Sequence, residues 1–269
     1  MKLGFSTLGC PAWSLEHAIA QAEEIGFEGI ELRVLDGEII TPEQIRVQTP
    51  RLRRAFGGSD VQLAILDSSV ALSTSSVTER RKQEADLLAW IEIAQSLGVE
   101  RIRVFGGRRP EGVTLPQAVR NVAESCNRVA PVAESAGVLI AIETHDDFSR
   151  AAVTSQVLGL VDSPAVGAVW DTLHTTRHGE TPAKVLELMA NRVLHVHLKD
   201  ATIRSTDDVT HVLEGRGDVP NREAISLLRQ HGYEAWLMLE WEKQWHPDIE
   251  EPEVAFPSCY RALREYMSS

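Results

Sequence analysis

The clearest sign of the fold is the stretch Val138–His145, VLIAIETH, an apolar run of strand length that closes on a carboxylate and an imidazole. Three later stretches have the same form: Val166–Asp171 (VGAVWD), Val193–Lys199 (VLHVHLK) and Ala235–Trp241 (AWLMLEW). Short apolar runs of this kind are typical of strands buried in a parallel sheet. Polar residues at the ends of such strands predict chemistry at one edge of that sheet.

Segments of helical periodicity separate eight such β-rich runs along the chain. The predicted strands are Lys2–Ser6, Gly29–Val34, Val61–Asp67, Arg101–Phe105, Val138–Thr144, Val166–Asp171, Val193–Lys199 and Ala235–Trp241. Regular alternation of strand and helix predicts a parallel sheet with helical crossovers. Eight units, at a length of 269 residues, predict one α/β domain over residues 1–269, a closed (β/α)₈ TIM barrel.

The sequence contains signals that mark where the predicted helices begin and end. An apolar stripe in the first helix is followed by Gly26, and a similar stripe is followed by Gly98, as at helix C-termini. Thr41–Gln44 and Thr114–Gln117 have the form of a capping box, and Thr181 precedes a proline at the first helical position.

A doubly wound open sheet is the structural alternative. That fold usually has a glycine-rich phosphate-binding turn after its first strand, whereas Thr7–Pro11 has the sequence TLGCP. The stretch Ala201–Val219 is long for a βα loop, so we expect an irregular segment that serves as an active-site lid.

Composition excludes several classes of protein. The chain is 43% hydrophobic and 25% charged, which is typical of a globular protein, and no apolar run approaches the length of a membrane span. Three scattered cysteines and an N-terminus without a signal-peptide pattern favour a cytoplasmic protein. A formal net charge of −12 argues against nucleic acid as a partner.

The polar strand ends predict a metal site. Because side chains alternate along a strand, Glu143 and His145 share a face, and Asp171, His197 and Glu240 lie on the corresponding faces of the next three strands. Three carboxylates and an imidazole in one small space would repel each other unless a cation lay between them. Mostly oxygen ligands favour Mn²⁺, Mg²⁺ or Co²⁺, with Zn²⁺ also possible. Four ligands leave two octahedral positions for substrate oxygens.

The sequence resembles the xylose isomerase-like barrel superfamily of sugar phosphate isomerases and epimerases. The resemblance covers essentially the whole chain and rests on the following segments: Gly26–Leu32, Glu143, Trp170–His174, His195–Asp200, Gly215–Pro220 and Glu240–Glu242. It implies the same four metal ligands, with His174 near the substrate. Lys199 and Arg216 are further candidates for substrate binding.

Two reactions remain open on this resemblance. In the ketose 3-epimerase branch the two metal-bound glutamates exchange the proton, which implies Glu143 and Glu240 as acid and base and favours an isomerase or epimerase. Glu143-Thr144-His145 together with Lys199 is instead similar to dehydratases of the 3-dehydroshikimate and inosose type, where such a histidine is the base. Both begin by removing a proton next to a metal-bound carbonyl.

Other classes are less favoured. The apurinic endonuclease branch needs a basic groove, which the net charge opposes, and an inactive barrel is disfavoured because every ligand position is filled. The sequence predicts a small polyhydroxylated substrate but not its identity. Surface exposure is the usual state of arginine, so we interpret five arginines as solvated, although each could reach a phosphate or carboxylate: Arg33, Arg103, Arg108, Arg109 and Arg216. By analogy with the superfamily, a homo-oligomer is possible.

Overall fold

Eight parallel strands close into a barrel in the computed structural model, which describes residues 1–269. They are β1 Lys2–Ser6, β2 Gly29–Leu32, β3 Gln62–Ala71, β4 Arg101–Phe105, β5 Leu139–Glu143, β6 Val166–Asp171, β7 Val193–Leu198 and β8 Trp236–Leu239. Each strand pairs with its neighbours in chain order, and β8 closes the barrel against β1. The predicted (β/α)₈ fold is confirmed.

Nine helices surround or cap the barrel. They are α1 Leu15–Ile25, α2 Pro42–Gly57, α3 Val77–Leu97, α4 Leu115–Ala136, α5 Ala151–Leu158, α6 Thr172–Thr176, α7 Pro182–Met189, α8 Asn221–Gln230 and α9 Pro252–Ser268. None of them is long and apolar enough to cross a membrane.

The predicted helix ends are present. The hydroxyls of Thr41, Thr114 and Thr181 each accept a hydrogen bond from the backbone N–H three residues later, as N-caps do. Helices α1 and α3 end at Gly26 and Gly98, whose φ angles of 103° and 71° are in the left-handed region that glycine adopts without steric cost.

Alternation along the strands separates two cores. Outward residues such as Ile140, Trp170 and Val196 pack against the helices in one large apolar cluster. Inside the barrel, Ala141 and Val169 belong to a small apolar layer with Ile65. Above this layer, toward the carboxyl ends of the strands, the interior is polar, so the barrel brings its buried charges together at one end.

The stretch Ala201–Val219 is not irregular, contrary to the expectation from sequence. Asp200–Ser205 and Asp208–Val212 pair as an antiparallel hairpin, here called the β7 hairpin. The carboxylate of Asp200 accepts hydrogen bonds from the backbone N–H groups of Gly215, Gly217 and Val219, so the turn after the hairpin is also fixed. A Cβ at Gly217 would lie 2.3 Å from Asp200 Oδ1, which explains the glycine.

Candidate metal centre and active site

Four side chains from adjacent strand ends converge inside the barrel. Glu143 ends β5, Asp171 ends β6, His197 lies near the end of β7 and Glu240 follows β8. All four are buried, and their potential ligand atoms lie within 4.8 Å of one another. The structure thus brings together the four residues that the sequence predicted as metal ligands, here called the ligand quartet.

His197 is oriented so that one of its ring nitrogens faces two other members of the quartet. Its Nδ1 lies 3.2 Å from Glu143 Oε1 and 3.4 Å from Glu240 Oε2, whereas its Nε2 lies 2.9 Å from Glu31 Oε2. A proton on Nε2, donated to Glu31, leaves the lone pair of Nδ1 free to bind a cation. Burial opposes a charge on this imidazole, but Glu240, Glu31 and Glu143 outweigh it and raise the pKa of His197 well above its usual value.

Glu31 belongs to a second layer beneath the quartet that sequence reasoning did not assign. Its Oε2 also lies 2.9 Å from Nε2 of the buried His195. Glu31 and His195 could hold a metal ion together with His197. Glu31 and Asp67 could also hold one together with His197 and Glu240. We favour the quartet because Glu143 and Glu240 border a cavity, whereas Glu31, His195 and Asp67 are completely buried.

Two arginines line this site, so their interpretation as solvated side chains was wrong. Arg103 is 2% exposed, and it contacts Asp67 Oδ2 at 3.0 Å and Glu143 Oε2 at 3.3 Å. Arg33 is 8% exposed and donates hydrogen bonds to the carbonyl of Asp67 and the hydroxyl of Ser69. Strand alternation could have found Arg103 and Glu31, because each lies between apolar residues that face outward.

Lys199 carries the positive charge nearest to the quartet. Its Nζ lies 2.8 Å from Asp171 Oδ2 and 2.5 Å from Glu240 Oε2, and it also binds Glu242. Burial disfavours the ammonium ion, but Asp171 and Glu240 outweigh it and raise the pKa of Lys199 well above its usual value. Burial also raises the pKa of Asp171 to about 6, although Lys199 opposes that shift.

His145, which lines the cavity, packs against the buried His174. Their rings are perpendicular, with centroids 4.6 Å apart, and the ring of His145 also lies 4.8 Å from that of Phe105. His145 Nδ1 lies 3.1 Å from Asp146 Oδ2, and neither nitrogen of the buried His174 makes a hydrogen bond. Burial opposes the charge on His145, but Asp146 and Glu143 outweigh it and raise its pKa.

A small cavity opens between these groups. Its lining contains three carboxylates, four basic side chains and three apolar ones: Leu8, Arg33, Arg103, Phe105, Glu143, His145, Lys199, Glu240, Glu242 and Trp245. Arg216 is not part of this lining and is exposed on the turn after the β7 hairpin, where its role in substrate binding stays a prediction. A larger cavity of about 710 Å³ lies at the opposite, amino-terminal end of the strands and includes none of the quartet.

The residues of the quartet fit a divalent metal ion. Glu143 Oε2 and Asp171 Oδ2 are buried and make no hydrogen bond; their only cationic neighbours are Arg103 and Lys199, so each oxygen keeps a lone pair for a metal ion. Three carboxylates and one imidazole are a ligand set for Mn²⁺, Mg²⁺ or Co²⁺, and Zn²⁺ also accepts it. Lys199 and Arg103 neutralise only part of the carboxylate charge, because Asp67 and Glu242 bring further negative charge to the same two cations.

Together, the closed parallel barrel and the buried carboxylate and histidine cluster at its carboxyl end define a TIM barrel with a candidate metal centre. Residues 19–263 match the model of the xylose isomerase-like TIM barrel family, and the chain belongs to that family.

Known relatives cover nearly the whole chain. Inosose dehydratase of Clostridium beijerinckii is 27% identical over 281 residues, which is 92% of this chain and 86% of the relative. Fructoselysine 3-epimerase of Escherichia coli O157:H7 is 22% identical over 256 residues, 89% of this chain and 90% of the relative. The crystal structure of the IOLI protein with a bound zinc atom superposes with a TM-score of 0.85 at 17% identity, covering 100% of this chain and 98% of the other.

Proposed function

We propose that this protein is a divalent-metal-dependent dehydratase that removes water from a small polyhydroxylated ketone, with His145 as the base. The observation that carries the proposal is the pairing of the possible bases. Glu240 and Glu143 are each bound to a buried cation, whereas His145 borders the same cavity and forms no ion pair except with Asp146.

The ligand quartet is the proposed holder of the metal. When bound by Glu143, Asp171, His197 and Glu240, a divalent ion polarises a substrate carbonyl and makes the adjacent C–H proton more acidic. Mn²⁺ is the ion we favour, because oxygen ligands outnumber the single nitrogen. Lys199 and His174 remain the proposed contacts for substrate hydroxyls, since both are buried and lie within 4 Å of Asp171 in the quartet.

A carboxylate bound to a buried cation is a weak base, because protonation would forfeit that interaction. Lys199 Nζ lies 2.5 Å from Glu240 Oε2, and Arg103 Nε lies 3.3 Å from Glu143 Oε2. His145 is placed differently. Its Nδ1 lies 3.1 Å from Asp146 Oδ2, so a proton held on Nδ1 leaves the lone pair of Nε2 to accept a proton.

In the proposed reaction, His145 Nε2 takes the proton from the carbon beside the carbonyl. The electron pair of that C–H bond forms the C=C bond, and the hydroxyl on the next carbon departs. The protonated imidazole gives its proton to the departing hydroxyl, which leaves as water and returns His145 to its starting state. Asp146 fixes the ring and stabilises its protonated form.

An isomerase or epimerase is the second candidate. Glu143 and Glu240 both border the cavity and contact the same nitrogen of His197, a placement that suits an acid and base on two sides of a substrate. The names of the relatives support both reactions, since one is an inosose dehydratase and another a fructoselysine 3-epimerase. The cation pairing at both glutamates leads us to prefer the dehydratase.

Arg33 bears on the substrate class. It borders the cavity, and no carboxylate lies within 4.0 Å of its guanidinium, unlike Arg103 and Lys199. A buried guanidinium with free donors favours a substrate that brings a carboxylate or several hydroxyl oxygens. Two classes of cyclic polyhydroxylated ketone meet this description. Inososes are neutral and supply hydroxyl oxygens, whereas 3-dehydroshikimate carries a carboxylate.

The test is a product analysis. The protein, loaded with Mn²⁺, is incubated in D₂O with inososes, 3-dehydroshikimate and a set of ketoses, and the products are read by mass spectrometry and NMR. We expect either an inosose or 3-dehydroshikimate to yield a product lighter by one water. A product of unchanged composition, with deuterium at the reacting carbon of a ketose, would overturn the proposal in favour of the isomerase or epimerase.

A further inference from the structure

A second group of potential metal ligands lies at the rim of the cavity, outside the ligand quartet. His211 lies on the β7 hairpin, and Glu242 and His246 lie on the segment after β8. His211 Nε2 is 3.7 Å and His246 Nε2 is 3.5 Å from Glu242 Oε2. One ligand atom from each residue lies within 4.8 Å of the others, so the three side chains converge on one point.

We propose that His211, Glu242 and His246 form a second divalent-cation site that prefers Zn²⁺. Zinc is commonly held by three protein ligands with a water in the fourth tetrahedral position, and the bonds to nitrogen and oxygen are about 2.0 to 2.2 Å long. In a tetrahedron with such bonds, neighbouring ligand atoms lie about 3.3 to 3.6 Å apart. The two distances from Glu242 Oε2 are close to this range, so only small side-chain movements are needed to close the site.

The state of His211 is an independent sign of a missing partner. Its side chain is only 4% exposed, yet neither ring nitrogen makes a hydrogen bond. Buried polar groups nearly always have a partner, because leaving one unpaired costs free energy. The ring of His246 lies beside it, with centroids 4.6 Å apart, so both imidazoles approach the same carboxylate oxygen. A cation between the two imidazoles and Glu242 Oε2 would give His211 Nε2 a partner, because Glu242 Oε2, at 3.7 Å, is too far for a hydrogen bond.

Glu242 can bind a metal ion at this site and keep its ion pair with Lys199. Its Oε1 binds Lys199, whereas its Oε2 faces the two histidines. The backbone N–H of His246 donates to the carbonyl of Glu242, and this helical turn puts the two side chains on one side. The carboxylate therefore has one oxygen for the ammonium ion and one for a metal.

The two sites differ in ligand chemistry and should differ in selectivity. The quartet offers three carboxylates and one imidazole, whereas the second site offers two imidazoles and one carboxylate. Imidazole-rich sets favour Zn²⁺, and oxygen-rich sets accept Mn²⁺ and Mg²⁺. Because Glu242 lines the cavity, a metal here would tie the β7 hairpin to the segment after β8 at the cavity rim. The inference does not depend on which reaction the quartet catalyses.

The test measures zinc stoichiometry. Metal-free protein is titrated with Zn²⁺ against a chromophoric chelator, and the dialysed product is assayed by elemental analysis. We expect two equivalents in the wild type and in the control His231→Ala, and one equivalent in His246→Ala, whose second binding constant should be weaker by more than about tenfold. His246 and His231 are both exposed, so neither change should disturb folding.

A second variant separates this site from the quartet. Asp171→Ala should lose one equivalent while keeping the one that His246→Ala removes. The same number of zinc equivalents in the wild type and in His246→Ala would overturn the proposal. One equivalent in the wild type that His246→Ala removes and Asp171→Ala keeps would count against the proposed function and leave this inference standing.

Discussion

Lys199 Nζ lies 2.5 Å from Glu240 Oε2 in the interior of the barrel, where both side chains are buried. The same ammonium ion lies 2.8 Å from Asp171 Oδ2, so one lysine contacts two members of the ligand quartet. A buried ion pair of this kind contributes more by preventing an uncompensated charge than by its own attraction. Lys199 therefore supports the fold of the site and lowers the basicity of Glu240.

Removing that charge should destabilise the metal-free protein. We expect Lys199→Met to lower the free energy of unfolding by about 3 to 5 kcal/mol, because it leaves buried carboxylates without their cation. Saturating Mn²⁺ should reduce the loss, since a bound ion supplies the missing positive charge. Urea denaturation with and without Mn²⁺ measures both values.

Lys184→Met is the matched control, because Lys184 forms an exposed ion pair with Glu187. It should change stability by less than about 1 kcal/mol in either condition. If Lys199→Met lost equal stability with and without Mn²⁺, the carboxylates that it pairs with would not be the metal site.

Glu31 should position the metal ligand His197 without binding the metal itself. We expect Glu31→Gln to weaken Mn²⁺ binding by about 10- to 100-fold, because the carboxylate that holds His197 Nε2 at 2.9 Å is lost. Competition with a chelator gives the binding constant. The exposed Glu38→Gln should bind Mn²⁺ as the wild type does, and an unchanged affinity in Glu31→Gln would show that His197 is oriented without this carboxylate.

Arg33 should matter most for a substrate with a negative charge. For 3-dehydroshikimate we expect Arg33→Gln to raise KM by about tenfold or more, because a charged hydrogen bond is worth about 1.5 to 3 kcal/mol. For a neutral inosose the change should be smaller. Arg46→Gln, on an exposed side chain, is the control. Equal effects on both substrates would mean that Arg33 acts on the fold of the site and not on a substrate carboxylate.

Glu214 should make stability depend on pH. Its carboxyl is buried, which raises its pKa to about 8, and Asp200 adds to the shift. Because the folded-state pKa exceeds the unfolded value of about 4.3, the stability that the protonated form contributes is fully present below pH 4.3. It declines as the pH rises and is lost once the pH passes about 8.

We therefore expect Glu214→Gln to match the wild type near pH 4.5 and to be more stable at pH 8.5, by about 1 to 3 kcal/mol. The amide oxygen can still accept the hydrogen bond from Asn221 that the carboxylate now accepts. Denaturation curves across this range provide the measurement, with the exposed Glu265→Gln as control. A wild-type advantage at pH 8.5 would contradict the buried, protonated state of Glu214.

Strand alternation predicted much of the barrel and the quartet, because both follow from local periodicity. The strands Arg101–Phe105 and Val166–Asp171 have the predicted bounds, and each quartet residue lies within one residue of a strand end. The predicted strand Gly29–Val34 ends at Leu32, and Val34 instead starts a small hairpin. Alternation therefore assigns side chains to one face only where the strand is regular.

What the sequence did not predict depends on long-range packing. The β7 hairpin is fixed by backbone pairing and by Asp200, and its alternating pattern is too short to stand out. Arginine is usually exposed, so Arg33 and Arg103 were placed at the surface, although the carboxylates of the barrel interior provide Arg103 with partners. Glu242 lies beyond β8, and its role depends on Lys199 and on two histidines far apart in the chain.

The most direct test of the central claim is the effect of His145→Ala on water loss from the substrate that the product analysis identifies. We expect kcat to fall by about 10²- to 10⁴-fold while the Mn²⁺ content stays at the wild-type value, because the base is lost and the quartet is kept. His231→Ala should retain wild-type turnover. Near-normal turnover in His145→Ala, with turnover abolished in Glu240→Gln that still binds Mn²⁺, would rule out His145 as the base and identify Glu240 in its place.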